Sequence, residues 1–478
     1  MSGVSTPDRR PVLPGLALTL IAGLCLAPAA PAQEADPRDE RIEELERRIE
    51  QLEEQLEPGE DAEPEEALSD DSEGADAADP TPAELERRLE VLAAELERQK
   101  LGEAAVAADE GEHGMGPAAS KIYRTAEGLS IGGYGEMLYQ APDSTRDDGT
   151  PSGRGDQLDF LRAVLYFGYK FNDRWLFNSE IELEHASTDQ EGSASVEFAY
   201  VDWLARPAAN ARFGLVLVPM GFVNELHEPP IFLGARRPDI EQVIIPSTWR
   251  ENGVGLFGDV GPFAYRTYLV NGLDASGFSA RGLRGGRQKG SQAKAEDVAW
   301  VGRLDWVDTP GLLAGVSLYR GGSGQDLADA SGRSIAATTT LWEGHVEWKR
   351  RGLELRGLAV RGELDDVARL NEALGLEGEA SVGEELEGWY LQAGYDLAVP
   401  FARLRGSLVP YLRLESYDTQ AAVPAGFAAN PANDVESWTL GLAYRPIDQV
   451  VFKADFQDYD NEAGTGVDQV NVAVGYLF

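Results

Sequence analysis

From Leu129 to Phe478 apolar and polar residues alternate with a period of two, and aromatic residues recur throughout. Alternation of this kind predicts strands with one apolar and one polar face. About sixteen segments read this way, near 129–139, 157–171, 174–185, 194–205, 211–218, 252–259, 262–272 and 298–307 in the first half. The second half adds 311–320, 338–349, 352–363, 385–398, 407–418, 434–445, 448–458 and 467–478. Most have roughly the 9–11 residues that a tilted membrane strand needs. In the final stretch, VNVAVGYLF, Val470, Val472, Val474, Tyr476 and Phe478 share one face, opposite Asn471, Ala473, Gly475 and Leu477. A face that is apolar over its whole length and ends in aromatics suits lipid, with Tyr and Phe as interfacial anchors.

The connections alternate between short and long. FNDRW, ARPAANA, GDVGPF, DTPG, KRRG, VPFARLRG and RPIDQ are tight and rich in Gly, Pro, Asn and Asp, whereas 140–156, 273–297, 321–337 and 364–384 are long and polar. An even number of strands joined in this manner predicts an all-β fold, an antiparallel transmembrane β-barrel of about sixteen strands. The last strand must then pair with the first, because an open edge cannot sit in hydrocarbon.

The polar face of each strand belongs inside such a barrel. Glu180, Glu182 and Glu184 alternate with Ile181 and Leu183, and a row of carboxylates cannot face lipid. The same phase turns Arg162, Lys170, Arg266, Arg303, Asp305, Glu343, Glu347, Arg413, Glu415, Lys453 and Asp455 inward. With about sixteen strands the lumen is too wide for wall side chains to fill, so these residues are expected to line a wet pore. The longest connection, 219–251, is unusually apolar, with Phe222, Ile231, Phe232, Ile244 and Ile245. Left in water it would be costly, so it must pack on something. Folding inward would narrow the channel and bring Glu225, His227, Glu228, Arg236, Arg237 and Arg250 to the constriction. Packing at a subunit interface or capping the barrel is the alternative.

Ahead of the barrel the pattern changes. Residues 1–32 read as a signal peptide, with Arg9 and Arg10 before the apolar stretch VLPGLALTLIAGLCLAPAA and small residues at Ala30 and Ala32. The one cysteine, Cys25, lies in that stretch, so the mature chain is expected to contain no thiol. Residues 33–128 are acidic and nearly free of aromatics. Heptad-like spacings of Ile42, Leu45, Ile49, Leu52 and Leu56 (42–56), and of Leu85, Leu89, Leu92 and Leu96 (85–96), predict short coiled-coil segments, with disorder between them. An acidic helical and disordered arm in the periplasm is the expectation, either zipped by an oligomer or serving as a solvated tether.

The charge is −40 for 42 Lys and Arg against 82 Asp and Glu, and no basic stripe is present, which excludes a nucleic-acid partner. Over 129–478 the balance is 50 acidic to 30 basic residues, a net of −20. Four histidines, His113, His185, His227 and His345, have no Ser or Thr context that forms a nucleophile site, so an enzyme is not expected. The Glu180/Glu182/Glu184 row and Asp365–Asp366 read as wetted lumen and loop decoration, and neither a metal nor a cofactor is expected.

LSIGGYGEMLY, NSEIELEHA, VLVPMGFVNELHEPPIF, IIPSTWRENGVGL and the aromatic terminus together resemble the porins grouped with the phosphate-selective porins O and P. The likeness covers roughly 129–478, with 216–256 its most specific part. It implies a trimeric sixteen-stranded channel in the outer membrane of a Gram-negative bacterium, embedded in lipid and placed there by the barrel assembly machinery. The mixed signs at the inward positions favour a general diffusion channel for small hydrophilic solutes or ions, with weak selectivity. A phosphate- or anion-selective channel is the alternative that the resemblance implies. An envelope tether whose acidic arm does the work is a third reading.

Overall fold

A computed structural model describes residues 111–478 except 126, 187–191 and 402–403. The expected signal peptide and both heptad segments lie outside the described residues. All sixteen period-two segments are strands. They run β1 Gly128–Pro142, β2 Gln157–Asn172, β3 Trp175–Glu184, β4 Ser193–Arg206, β5 Ala209–Leu217, β6 Arg250–Val260, β7 Phe263–Asn271 and β8 Val298–Thr309. The others are β9 Leu312–Gly321, β10 Thr339–Arg350, β11 Leu353–Leu364, β12 Glu385–Tyr395, β13 Ser407–Ala422, β14 Asp434–Ile447, β15 Val450–Asn461 and β16 Gln469–Leu477. Each pairs antiparallel with its sequence neighbours, and β1 pairs with β16 from Tyr134↔Leu477 to Pro142↔Gln469. The sheet has no edge, as a spanning structure requires.

The alternation decides which way each side chain points. On β16, Val470, Val472 and Tyr476 are exposed outward, as is Phe478 just beyond it, while Gln469, Asn471, Ala473 and Leu477 are buried inside. On β2, Leu165, Phe167, Tyr169 and Phe171 face out, and Val164 and Tyr166 face in. The outer aromatics gather at two levels. Phe171, Trp175, Trp203, Phe263, Tyr444 and Tyr476 ring the short-turn end, where Trp175 and Trp203 stack at 6.3 Å between centroids. Trp300, Trp342 and Trp438 stand near the long-loop end. Two aromatic belts bounding a band of Leu, Val and Phe are what a barrel in a bilayer presents to headgroups and acyl chains.

The tight turns depend on their glycines: Gly261 (φ +59°), Gly311 (φ +77°) and Gly352 (φ +84°) occupy the left-handed region between β6 and β7, β9's start and β8, and β10 and β11. One connection expected to be tight is longer, because β12 ends at Tyr395 and β13 begins only at Ser407.

The terminal Phe478 closes the ladder by two backbone bonds, Phe478 N to Gly133 O at 2.9 Å and Gly133 N to Phe478 O at 3.0 Å. Deleting Phe478 removes both, about 2 kcal/mol at about 1 kcal/mol each. The compact, fast-migrating band of unheated protein on a denaturing gel should weaken accordingly. An undiminished band would show that closure does not depend on this residue.

Candidate functional site

The connection between β5 and β6 turns inward and crosses the barrel interior. It touches the inner wall on most sides. Its first turn sits against β8 and β10: Gly221 N donates to Glu343 (3.2 Å), Arg303 donates to Gly221 O, and Phe222 meets the His345 ring edge-on at 5.0 Å. Glu225 then accepts ion pairs from Arg266 (3.0 Å) and Arg303 (3.6 Å), and His227 Nε2 lies 3.1 Å from Glu180 on β3. Pro229 and Pro230 press on β16, where a Cβ on Gly475 would fall 2.4 Å from Pro229 Cβ, so only glycine fits there.

Farther along, the loop lies on β11 to β15. Arg356 reaches Ile231 O (3.3 Å), Arg445 reaches Pro230 O (2.9 Å), and Lys453 reaches Gly234 O (2.8 Å). Ala235 N donates to Asp455 (2.7 Å) and Asp239 N to Glu415 (2.8 Å), while Arg413 donates to Arg236 O (3.3 Å). A single helical turn, α1 Ile240–Val243, closes the path, and Glu241 accepts from Val223 N (2.6 Å) and the Tyr390 hydroxyl (2.7 Å).

This arrangement corrects the expectation of a wetted inner wall. Glu180, Glu182, Arg303, Asp305, Glu343, Arg413, Glu415 and Lys453 are all at most 5% exposed, buried beneath the loop. The physical reason is the loop's own backbone. A chain crossing the lumen brings N–H and C=O groups that no ladder satisfies, and each one left unpaired costs about 1–3 kcal/mol. Charged wall side chains supply the partners, and the remaining charges neutralise each other. Arg162 lies 3.3 Å from Glu136 and 3.5 Å from Glu182, Arg266 and Arg303 share Asp305 at 2.8 Å, and Glu347 pairs with Arg356.

Among the residues expected at a constriction, Glu225, His227, Glu228 and Arg237 are buried in the loop, and Arg236 is partly exposed. Arg250 belongs to the start of β6 and pairs with Glu197 at 2.7 Å. Burial pushes the Glu228 carboxyl up to about 7, against the pull of two backbone N–H donors. Burial alone would lower His227, but the Glu180 carboxylate outweighs it and raises the imidazole. Burial, then the neighbouring Arg162, lowers Arg237.

Residues 111–124, expected as part of the periplasmic arm, instead pack inside the short-turn half of the barrel. Tyr123 donates to Asp202 (2.7 Å) and accepts from Arg212 (2.7 Å), and Lys170 reaches the carbonyls of Tyr123 (3.3 Å) and Thr125 (3.0 Å). Glu228 accepts from the backbone N–H groups of Ala118 and Ala119, both at 3.0 Å. Sequence reading missed this segment because it has neither strand nor helix period. The faint signal was GMGPAAS, a run of small residues that ends an acidic stretch.

Two cavities flank the loop. The one at the long-loop end has a volume of about 1290 Å³ and is lined by Arg146, Arg154, Arg236, Arg281, Arg284, Arg287 and Lys289, with Asp239 its one carboxylate. Asp239 is already engaged by Arg236 (3.6 Å) and Gln457 (2.8 Å). Among the described residues, none of Arg146, Arg154, Arg281, Arg284, Arg287 and Lys289 forms a salt bridge. Arg284 and Arg287 donate instead to loop carbonyls, Arg287 to Thr248 O at 2.8 Å. Burial and then the neighbouring Arg284 and Arg250 push Arg287 down to about 9, and burial with Arg287 beside it lowers Lys289. The second cavity, about 380 Å³ at the short-turn end, has mixed signs: Glu112, Glu225, Asp259, Asp305 and Glu347 face Arg266, Arg303, Lys349 and Arg356.

No family model matches the chain. An uncharacterized protein of Aquifex aeolicus (strain VF5) is 35% identical over 376 residues, which cover 76% of this chain and 83% of that protein. Among solved structures, OmpF of Salmonella typhi, in complex with daunomycin, aligns with a TM-score of 0.50 at 13% identity, over 75% of this chain and 99% of that one. An anion-selective porin from Comamonas acidovorans aligns with a TM-score of 0.49 at 12% identity, over 73% and 99%. The likeness to OmpF is one of fold, the outer-membrane porin barrel, and does not single out the phosphate-selective group.

Docking of the loop on the charged wall makes a stability prediction. Arg413→Ala strands Glu415 and the Arg236 carbonyl, and should cost about 3 kcal/mol because it leaves a buried charge unpaired. Arg361→Ala, which removes a pair with Glu385 at the half-exposed rim, should cost less than about 1 kcal/mol. Denaturant unfolding in detergent micelles measures both. Equal costs would mean that the loop does not rest on these contacts.

Proposed function

We propose that this chain, which belongs to the same family as the uncharacterized Aquifex aeolicus protein, is an outer-membrane porin that draws small hydrophilic anions into its long-loop mouth. The observation that carries the reading is the 1290 Å³ cavity with six basic side chains that form no salt bridge among the described residues. A solute entering there meets these charges at a few ångströms, whereas any carboxylate beyond the Debye length, roughly 8 Å at physiological salt, is screened from it. Local sign therefore outweighs the net charge of −40. Arg287 and Lys289 are lowered first by burial and then by the cations beside them, and an anion seated among them would relieve the second cause.

Past the mouth the charges are mixed, so nothing selects one anion strongly. The favoured reading is thus a channel with anion preference and not a dedicated phosphate site. Buried Glu225, His227, Glu228 and Arg237 form the narrow part in this reading, with Arg236 at its mouth-side rim. The protein is not an enzyme in this reading, and needs neither metal nor cofactor. A signal peptide at 1–32, a periplasmic acidic arm and a homotrimer complete the proposal.

Planar bilayers with a tenfold KCl gradient test it. The reversal potential should report chloride as more permeant than potassium, more so at 0.1 M than at 1 M salt. Arg146, Arg154 and Arg281 are exposed, and among the described residues their side chains form no hydrogen bond or salt bridge. The triple variant R146E/R154E/R281E should therefore fold normally and lower the chloride-to-potassium ratio by at least about threefold. Potassium preference in the unaltered protein would refute the anion reading and leave a general porin.

A further inference from the structure

Residues 111–124 lie in the lumen but take no part in the barrel ladder. Their backbone closes on itself in turns, such as Met115 N to Glu112 O (2.9 Å) and Ser120 N to Gly116 O (2.8 Å). Their ties to the wall are side-chain bonds. Besides those to Asp202, Arg212 and Lys170, Asn178 donates to Ala119 O at 2.9 Å. Such a segment can leave without breaking a strand pairing. The wall it covers is mixed: Asp202, Arg212, Lys170 and Asn178 are charged or amide, while Tyr200 and Phe257 are aromatic, so its withdrawal wets polar and apolar groups alike.

The segment is also fitted to the inward loop. A Cβ on Gly116 would lie 2.6 Å from Glu228 Oε1, and one on Gly114 2.6 Å from Glu225 Oε1. Small residues thus let the segment pass under two loop carboxylates, and Glu228 holds it there by the N–H groups of Ala118 and Ala119. Loop and segment together wall the 380 Å³ cavity, through Glu225, Leu226 and Ile231 on one side and Gly111–Met115 with Pro117 on the other. No described residue lines both this cavity and the larger one.

We propose that residues 111–124 are an intraluminal gate, closing the short-turn half of the channel when seated on Glu228 and opening it when withdrawn. The inference rests on the porin reading. In sequence the gate directly follows the acidic, heptad-bearing stretch.

A cross-link tests it. A Cβ built on Gly168 would lie 3.1 Å from Ile122 Cβ, a few tenths of an ångström short of the range of about 3.5–4.5 Å that a disulfide requires, so a small backbone shift suffices. The chain's one native cysteine, Cys25, is remote in sequence. Single-channel conductance is measured for full-length I122C/G168C, oxidised and after dithiothreitol, and for a chain lacking 111–124. Gel mobility confirms that each barrel is folded. The expected result is a cross-linked channel with at least tenfold lower mean conductance than the deletion variant, relieved by dithiothreitol. If the cross-linked and deleted channels conduct equally, the gate is refuted and the porin reading stands. If the folded deletion variant does not conduct at all, the porin reading falls and the gate with it.

Discussion

The interaction on which the interior depends is the bond between an unladdered backbone and a charged wall. A loop that crosses the lumen carries amide groups with no strand to pair them, and an unpaired buried amide is expensive. Here Asp455, Glu415 and Glu343 accept from loop N–H groups, while Lys453, Arg413, Arg303 and Arg445 donate to loop carbonyls. Bonds to charged groups are about twice as strong as neutral ones. The charges that a wide barrel would otherwise show to water are spent on holding its contents.

Glu228 joins the parts of that interior. It stands between His227, bound to Glu180 on the wall, and the diproline turn against Gly475. Its carboxylate caps the segment that precedes the first strand. A carboxyl that burial raises to about 7 is poorly solvated, and two N–H donors are what keep its charge tolerable. The loop, the N-terminal segment and the β1–β16 seam therefore meet around one side chain.

Charge is organised at two scales. The chain as a whole is strongly acidic, which governs its solubility and long-range field. The mouth is locally basic, and there the arginines bind carbonyl oxygens in place of carboxylates. Carbonyls orient a guanidinium without cancelling its charge, so the loops can be tied down and stay positive.

The sequence alone determined the barrel. A period of two, turn chemistry and the alternation of short and long connections are local signals, and all sixteen strands, the inward set from Arg162 to Asp455 and the closing role of Phe478 follow from them. The inward fold of 219–251 was readable too, because an apolar loop must find cover. What those inward charges do was decided only by tertiary structure. Alternation says that Glu415 faces in, but not that Asp239 N will arrive beside it from 176 positions away in the chain. The seating of 111–124 and the gathering of Arg146, Arg236 and Arg287 at one cavity were equally illegible. Their partners lie far apart in sequence and share no period, and only closure of the barrel brings them within hydrogen-bonding reach.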